Sequence, residues 1–189
     1  GHVQLGAVLR NIKGQQTGDP EDENPRTDST AGWGLNFSGS HEFQKQKKDK
    51  VMWQLNFGEG IGAYINDLQT LGQLDAVFSP DGNLQALPAF GGYVAFQHYW
   101  HRDLLAAIGA KGLLRDLRST IVYGYTGVDN FDFQPDDAYA DTQRASINLI
   151  WSPIAPIDVG IEYLWGQRKN KDGKSGTANQ LQIVATFSF

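Results

Sequence analysis

The last thirteen residues, 177–189 (TANQLQIVATFSF), constrain the fold most. Leu181, Ile183, Ala185, Phe187 and Phe189 share one parity, and Gln180, Gln182, Val184, Thr186 and Ser188 share the other. A period of two belongs to an extended strand, whose successive side chains point to opposite faces. One face is apolar and the other mostly polar, so the strand lies at a boundary between water and an apolar phase. That phase is either the core of a soluble sandwich or the hydrocarbon of a bilayer, since alternating strands serve both. The segment closes on an aromatic, Phe189, with no polar tail. A terminal aromatic strand favours the membrane alternative, and Phe189 is the candidate signal read by an outer-membrane barrel-assembly machinery.

The same parity recurs along the chain. Val3, Leu5, Ala7 and Leu9 oppose Gln4, Gly6, Val8 and Arg10; Ala31, Trp33, Leu35 and Phe37 oppose Gly32, Gly34, Asn36 and Ser38. Val51, Trp53, Leu55 and Phe57 oppose Met52, Gln54 and Asn56. Phe90, Val94, Phe96 and Trp100 oppose Tyr93, Ala95, Gln97 and Tyr99, with His98 in the apolar register. Leu117, Ile121, Tyr123 and Tyr125 oppose Arg118, Thr120, Val122 and Gly124. Ala145, Ile147, Leu149 and Trp151 oppose Arg144, Ser146, Asn148 and Ile150. Ile157, Val159, Ile161, Tyr163 and Trp165 oppose Asp158, Gly160, Glu162, Gly166 and Arg168. With the C-terminal segment this predicts about eight strands, near the length a tilted strand needs to cross a bilayer.

Connections and tryptophans fit the membrane reading. Segments 14–30, 58–88, 126–141 and 169–176 are the longer connections, and 43–50 and 152–156 are short. Membrane barrels join strands by short turns on one side and long loops on the other; only 101–116 is longer than this scheme expects. Short helices are expected within 66–74 and 101–116, where apolar spacing turns helical. Trp33 and Trp165 fall near one set of strand ends, and Trp53, Trp100 and Trp151 near the other. Aromatic girdles at two interfaces produce that distribution. No run of 18 apolar residues is present, so no membrane helix is expected. The first residue is Gly1, from which a processed form or a fragment is expected.

Several function classes are excluded by composition. A net charge of −5 argues against a nucleic-acid partner. Cysteine is absent, which removes disulfides and thiolate metal sites. Gly58-Glu59-Gly60-Ile61-Gly62 is not a phosphate loop, because no parallel βα unit surrounds it and no Lys-Ser/Thr follows. His2, His41, His98 and His101 show no catalytic or metal spacing, so neither an enzyme nor a cofactor is expected. Asp129, Asp132, Asp136, Asp137 and Asp141 lack EF-hand spacing and read as a solvated acidic loop rather than a calcium site.

The polar parity carries Arg10, Arg118, Arg144 and Arg168, with Glu59, Asp158 and Glu162 opposing them. These seven are the candidate pore-lining residues. They form either a salt-bridged wall or a basic ladder that attracts anions. The longest connection, 58–88, is expected to fold inward and narrow the channel, the alternative being a flexible external lid.

Three stretches carry a family resemblance: 58–64 (GEGIGAY), 91–100 (GGYVAFQHYW) and 117–125 (LRSTIVYGY). A fourth, 158–166 (DVGIEYLWG), is followed by Asn170-Lys171-Asp172-Gly173. Together they resemble the C-terminal half of the DcaP-like outer-membrane porins, over nearly the whole chain. The resemblance implies a transmembrane antiparallel up-and-down β-barrel of about 16 strands, of which this chain supplies about eight. It implies a homotrimer in the bacterial outer membrane that passes small organic anions such as dicarboxylates. The alternative is a small closed barrel serving as a structural or adhesive anchor, since a barrel of about eight strands has no aqueous channel. The chain departs from the family in its longer 101–116 connector, and the resemblance covers only the family's C-terminal half.

Overall fold

The computed structural model describes residues 1–16, 26–43, 49–65, 68, 75–100, 116–154 and 156–188. Eight long strands appear in the predicted order. They are β1 (His2–Gln15), β2 (Thr27–Glu42), β3 (Lys50–Glu59), β6 (Pro88–Tyr99), β7 (Leu117–Val128), β8 (Tyr139–Ile154), β9 (Ile157–Asn170) and β10 (Ser175–Phe187). Between β3 and β6 lie a short 3₁₀ turn, Gly62–Tyr64, and a two-stranded hairpin, β4 (Ala76–Phe78) and β5 (Leu84–Ala86). The hairpin was not expected from the sequence. Each long strand pairs antiparallel with its predecessor, in the order β1-β2-β3-β6-β7-β8-β9-β10. The expected barrel is, within this chain, an open sheet: β1 and β10 each pair on one side only.

Strands run further than the apolar pattern alone suggests. β2 and β8 have 16 residues each, and β1 and β9 have 14. The extensions are polar, such as Thr27-Asp28-Ser29 and Arg168-Lys169-Asn170, so parity of hydrophobicity does not mark them, yet their backbone pairing continues. The eight-residue connection expected at 169–176 shrinks to the turn 171–174, where Gly173 takes φ +82° at no steric cost. The helix expected within 66–74 falls outside the described residues except at Leu68, and the one expected within 101–116 lies outside them but for Asp116.

Register assigns every side chain to a face. Gly6 pairs with Asn36, Asn36 with Asn56, Asn56 with Gly91 and Gly91 with Thr126; the row continues through Thr142 to Arg168 and Gly176. One row nearer the opposite strand ends runs Gln4-Ser38-Gln54-Tyr93-Gly124-Arg144-Gly166-Ala178. These rows define a polar, glycine-rich face. The other face collects the bulky apolar parity, including all five tryptophans. On central strands Leu55, Val94, Ile121 and Ile147 are about half exposed, at 52, 50, 56 and 49%. An apolar surface continuous over eight strands far exceeds the patches that water-facing monomers carry. Among the described residues no helix is long and apolar enough to cross a membrane.

The buried apolar cluster sits on the polar face, toward the strand ends that carry the long connections. Ile61, Ile65, Leu68 and Leu87 pack there with Ala89, Val128 and Tyr139. Glycines make the seat: a Cβ on Gly34 would lie 2.7 Å from Ile61 Cγ2, and one on Gly91 would lie 3.0 Å from Ile65 Cγ2.

A second contact orders the β7–β8 connection. Lys171, in the β9–β10 turn, donates its ammonium to the carbonyls of Phe131, Asp132 and Gln134 at 3.1, 2.7 and 2.7 Å. A cationic donor to three carbonyls is a strong local tie. The acidic side chains of this connection do not converge; among the described residues no three His, Cys, Asp or Glu side chains group to hold a metal ion. Lys171→Met removes all three bonds. The expected outcome is faster proteolytic nicking between Asp129 and Ala138 under limited digestion, with the β9–β10 turn cut no faster.

Candidate functional site

The site is built on the polar face by the described residues of the connection after β3, 60–65, 68 and 75–87. β3 ends at Glu59, and Gly60 turns the chain with φ +67°, a conformation an L side chain rarely adopts. The backbone N–H of Gly60 donates to Leu87 O at 2.8 Å, closing the root of the connection. From β1, Arg10 reaches across: Nη1 donates to Gly60 O at 3.0 Å and pairs with Asp75 Oδ2 at 2.7 Å. Its guanidinium also lies 5.5 Å from the Tyr64 ring centroid, close enough for a cation–π contact. Asp75 Oδ1 in turn accepts the Ala63 N–H at 2.9 Å. Asp28 Oδ2 accepts the Leu84 N–H at 2.7 Å. The described parts of the connection, 60–65 and 75–87, are therefore fastened to β1 and β2 on the polar face of the sheet.

The candidate residues distribute along this face. Arg10, Arg118, Arg144, Arg168, Asp158 and Glu162 all stand in its register. Glu59 does not. It pairs opposite Trp33 and Pro88 and so shares the parity of Trp53, Leu55 and Phe57. Its surroundings are a recess of about 450 Å³ among Trp33, Phe57 and Phe90 on the apolar face. The glycine-rich composition of 58–62 predicts a loop, but β3 continues to Glu59 and its register fixes the side of that residue.

The six on the polar face play different roles. Arg118 lies near the end of the face that carries the short turns, donating to Ser152 Oγ and pairing with Asp158 Oδ2, both at 3.0 Å. Ser152 Oγ also donates to Asp158 Oδ1. This is the salt-bridged wall. Arg168, at the far end, donates to Asn170 Oδ1 and stacks over Tyr139 at 5.5 Å. Arg144 and Glu162 make no hydrogen bond or ion pair among the described residues. Arg144 is exposed, and its row neighbours on β7 and β9 are Gly124 and Gly166, which add no side chain beside it. Phe189 lies outside the described residues.

Two concavities open on this face and meet at Arg144. One, of about 620 Å³, is bounded by Arg144, Arg168, Lys174 and Thr177. The charge of Lys174 is countered locally. Asp172 bonds it at 2.8 Å, which raises the Lys174 pKa, and the same Lys174 contacts lower that of Asp172. The other, of about 420 Å³, lies beside the inward-folded segment and is lined by Gln54, Tyr64, Tyr93, Arg144, Ser146 and Glu162. Asn56 joins them as part of a polar chain, its Oδ1 accepting from Asn36 Nδ2 at 2.6 Å and Gln54 Nε2 at 3.5 Å. Sequence parity gave the face of Arg144; its freedom from partners and its glycine flanks came only from strand pairing.

A long-stranded antiparallel meander with one apolar outer face, and a polar face partly covered by an infolded connection, defines a porin-like fold. The outer membrane channel DcaP of Acinetobacter baumannii shares it: the crystal structure of that channel superposes with a TM-score of 0.61 over 98% of this chain, at 22% sequence identity. The chain spans 47% of the length of that protein. No family model matches the sequence, and no curated protein matches it.

The Arg10–Asp75 pair gives a direct check on how the connection is held. Arg10→Gln and Asp75→Asn each leave a charge without its partner, so each alone lowers the heat-denaturation midpoint of the purified protein. The double variant loses less than the sum. The expected coupling is on the order of 1 kcal/mol, as for contacting charges in one network.

Proposed function

We propose that this chain forms part of an outer-membrane diffusion porin that passes small hydrophilic solutes and prefers organic anions such as dicarboxylates. The observation that carries the reading is the packing of residues 60–65, 68 and 75–87 over a polar face on which Arg144 stands exposed and without a partner among the described residues. A segment packed inside a porin-like sheet narrows the lumen and brings solutes close to the wall. There, low-dielectric surroundings concentrate the field of an uncompensated charge. Arg168 and Arg144 follow one another on adjacent strands from the long-connection end inward, which is the sense in which a basic ladder guides anions.

The apolar face meets lipid in this reading, with Trp33 and Trp165 toward one interface and Trp53, Trp100 and Trp151 toward the other. The unpaired edges of β1 and β10 join further strands of a larger barrel, because an open edge is not sustained in hydrocarbon. Subunits assemble as a homotrimer in the outer membrane of a Gram-negative cell, after insertion by the barrel-assembly machinery through Phe189. Transport is passive, with neither catalysis nor a cofactor.

Ion selectivity tests this. In planar bilayers under a salt gradient, protein extracted from its native membrane is expected to show an anion-selective reversal potential. Arg144→Ser moves that potential toward cations. Arg118→Ser moves it less, because Arg118 already spends its charge on Asp158. The absence of any conductance would return the protein to the class of closed membrane anchors.

A further inference from the structure

Glu162 is out of place in a pore for anions alone. Asp158 is neutralised by Arg118 at 3.0 Å, whereas Glu162 faces the 420 Å³ concavity with no cation bonded to it. An uncompensated carboxylate beside an anion path repels the solute the path is meant to carry. Its retention calls for a ligand with a positive group.

Strand register sets the spacing. Arg144 pairs with Gly166 on β9, and Glu162 stands four residues along that strand, opposite Asn148. At about 3.3 Å per residue, their backbones are roughly 13 Å apart along the strand. At that separation the two side chains make no pair with each other, yet both line one concavity. A solute held between them puts a negative group on the Arg144 guanidinium and a positive one on the Glu162 carboxylate. Tyr64 and Tyr93 line the same space, and their hydroxyls make no hydrogen bond among the described residues.

We infer that the Arg144–Glu162 concavity is a recognition site for amphoteric solutes, small molecules that carry a carboxylate and an ammonium a few bonds apart. This rests on the channel reading and adds to its anions a second substrate class. A solute with only a carboxylate gains from Arg144 and is opposed by Glu162. A zwitterion gains from both ends. The site thus favours an amino-acid-like solute over an acid of the same size whose nitrogen is capped.

Alanine and N-acetylalanine are the probes: both carry the carboxylate, and only alanine carries the ammonium. Protein extracted from its native membrane is reconstituted into liposomes, and uptake of each labelled probe is measured alongside potassium chloride conductance in planar bilayers. Glu162→Gln is expected to lower the alanine to N-acetylalanine uptake ratio about threefold, the scale of an exposed, solvent-screened ion contact. Glu162→Asp, which keeps the charge, is expected to preserve most of the ratio. Conductance with a ratio unmoved by Glu162→Gln overturns the site and leaves the channel standing. No conductance from the wild-type protein overturns the channel reading and the site with it.

Discussion

An N–H or C=O group left unpaired in an apolar surrounding costs several kcal/mol, so strands bearing an apolar outer face must pair along their length. Each of the eight long strands does so with its neighbour in sequence. Because the side-chain period is two, that pairing also fixes which residues share a face, and a slip of one residue would exchange the two faces completely. The bulky apolar face, the polar face and the infolded connection all follow from this one commitment. It also explains the sharp boundary at Glu59: the strand holds its register to that residue, and Gly60 is the first position at which the chain can turn inward.

Inside the sheet, apolar and polar forces divide the work. Ile61, Ile65, Leu68 and Leu87 attach the connection by burying apolar surface against glycines of β2 and β6. Arg10, Asp75 and Asp28 fix its orientation by bonds that each have a defined partner. The same economy leaves charges uncommitted further along the face. Arg118 and Asp158 neutralise one another, Lys174 and Asp172 do likewise, and Arg144 and Glu162 have no charged partner among the described residues. Whether a charge on this face is paired or left open is thus decided by its neighbours rather than by its type.

Much of this was legible in the sequence because parity is a local signal. Six of the seven proposed pore-lining residues stand on the polar face, and the antiparallel order of strands was readable from the alternating segments and their connections. What parity does not reach is anything fixed by contacts across the sheet. Thr27-Asp28-Ser29 and Arg168-Lys169-Asn170 are polar on both sides, so the strands they extend carry no hydrophobic mark. The short β4–β5 hairpin lacks the length for a period to emerge. The hold of Lys171 on three distant carbonyls is invisible in a sequence, since any exposed turn lysine looks the same. The glycines flanking Arg144 stand 20 and 22 residues from it in the chain and become its neighbours only through pairing.

The claim most in need of direct measurement is that the two faces meet different solvents. A nitroxide scan along β9, from Ile157 to Asn170, in protein embedded in bilayers provides it. The account predicts that accessibility to oxygen, which concentrates in hydrocarbon, peaks at Val159, Ile161, Tyr163 and Trp165. Accessibility to a water-soluble nickel chelate should peak at Gly160, Glu162, Leu164 and Gly166, out of phase with oxygen. Chelate accessibility on the Val159–Trp165 parity, or no alternation at all, would contradict it.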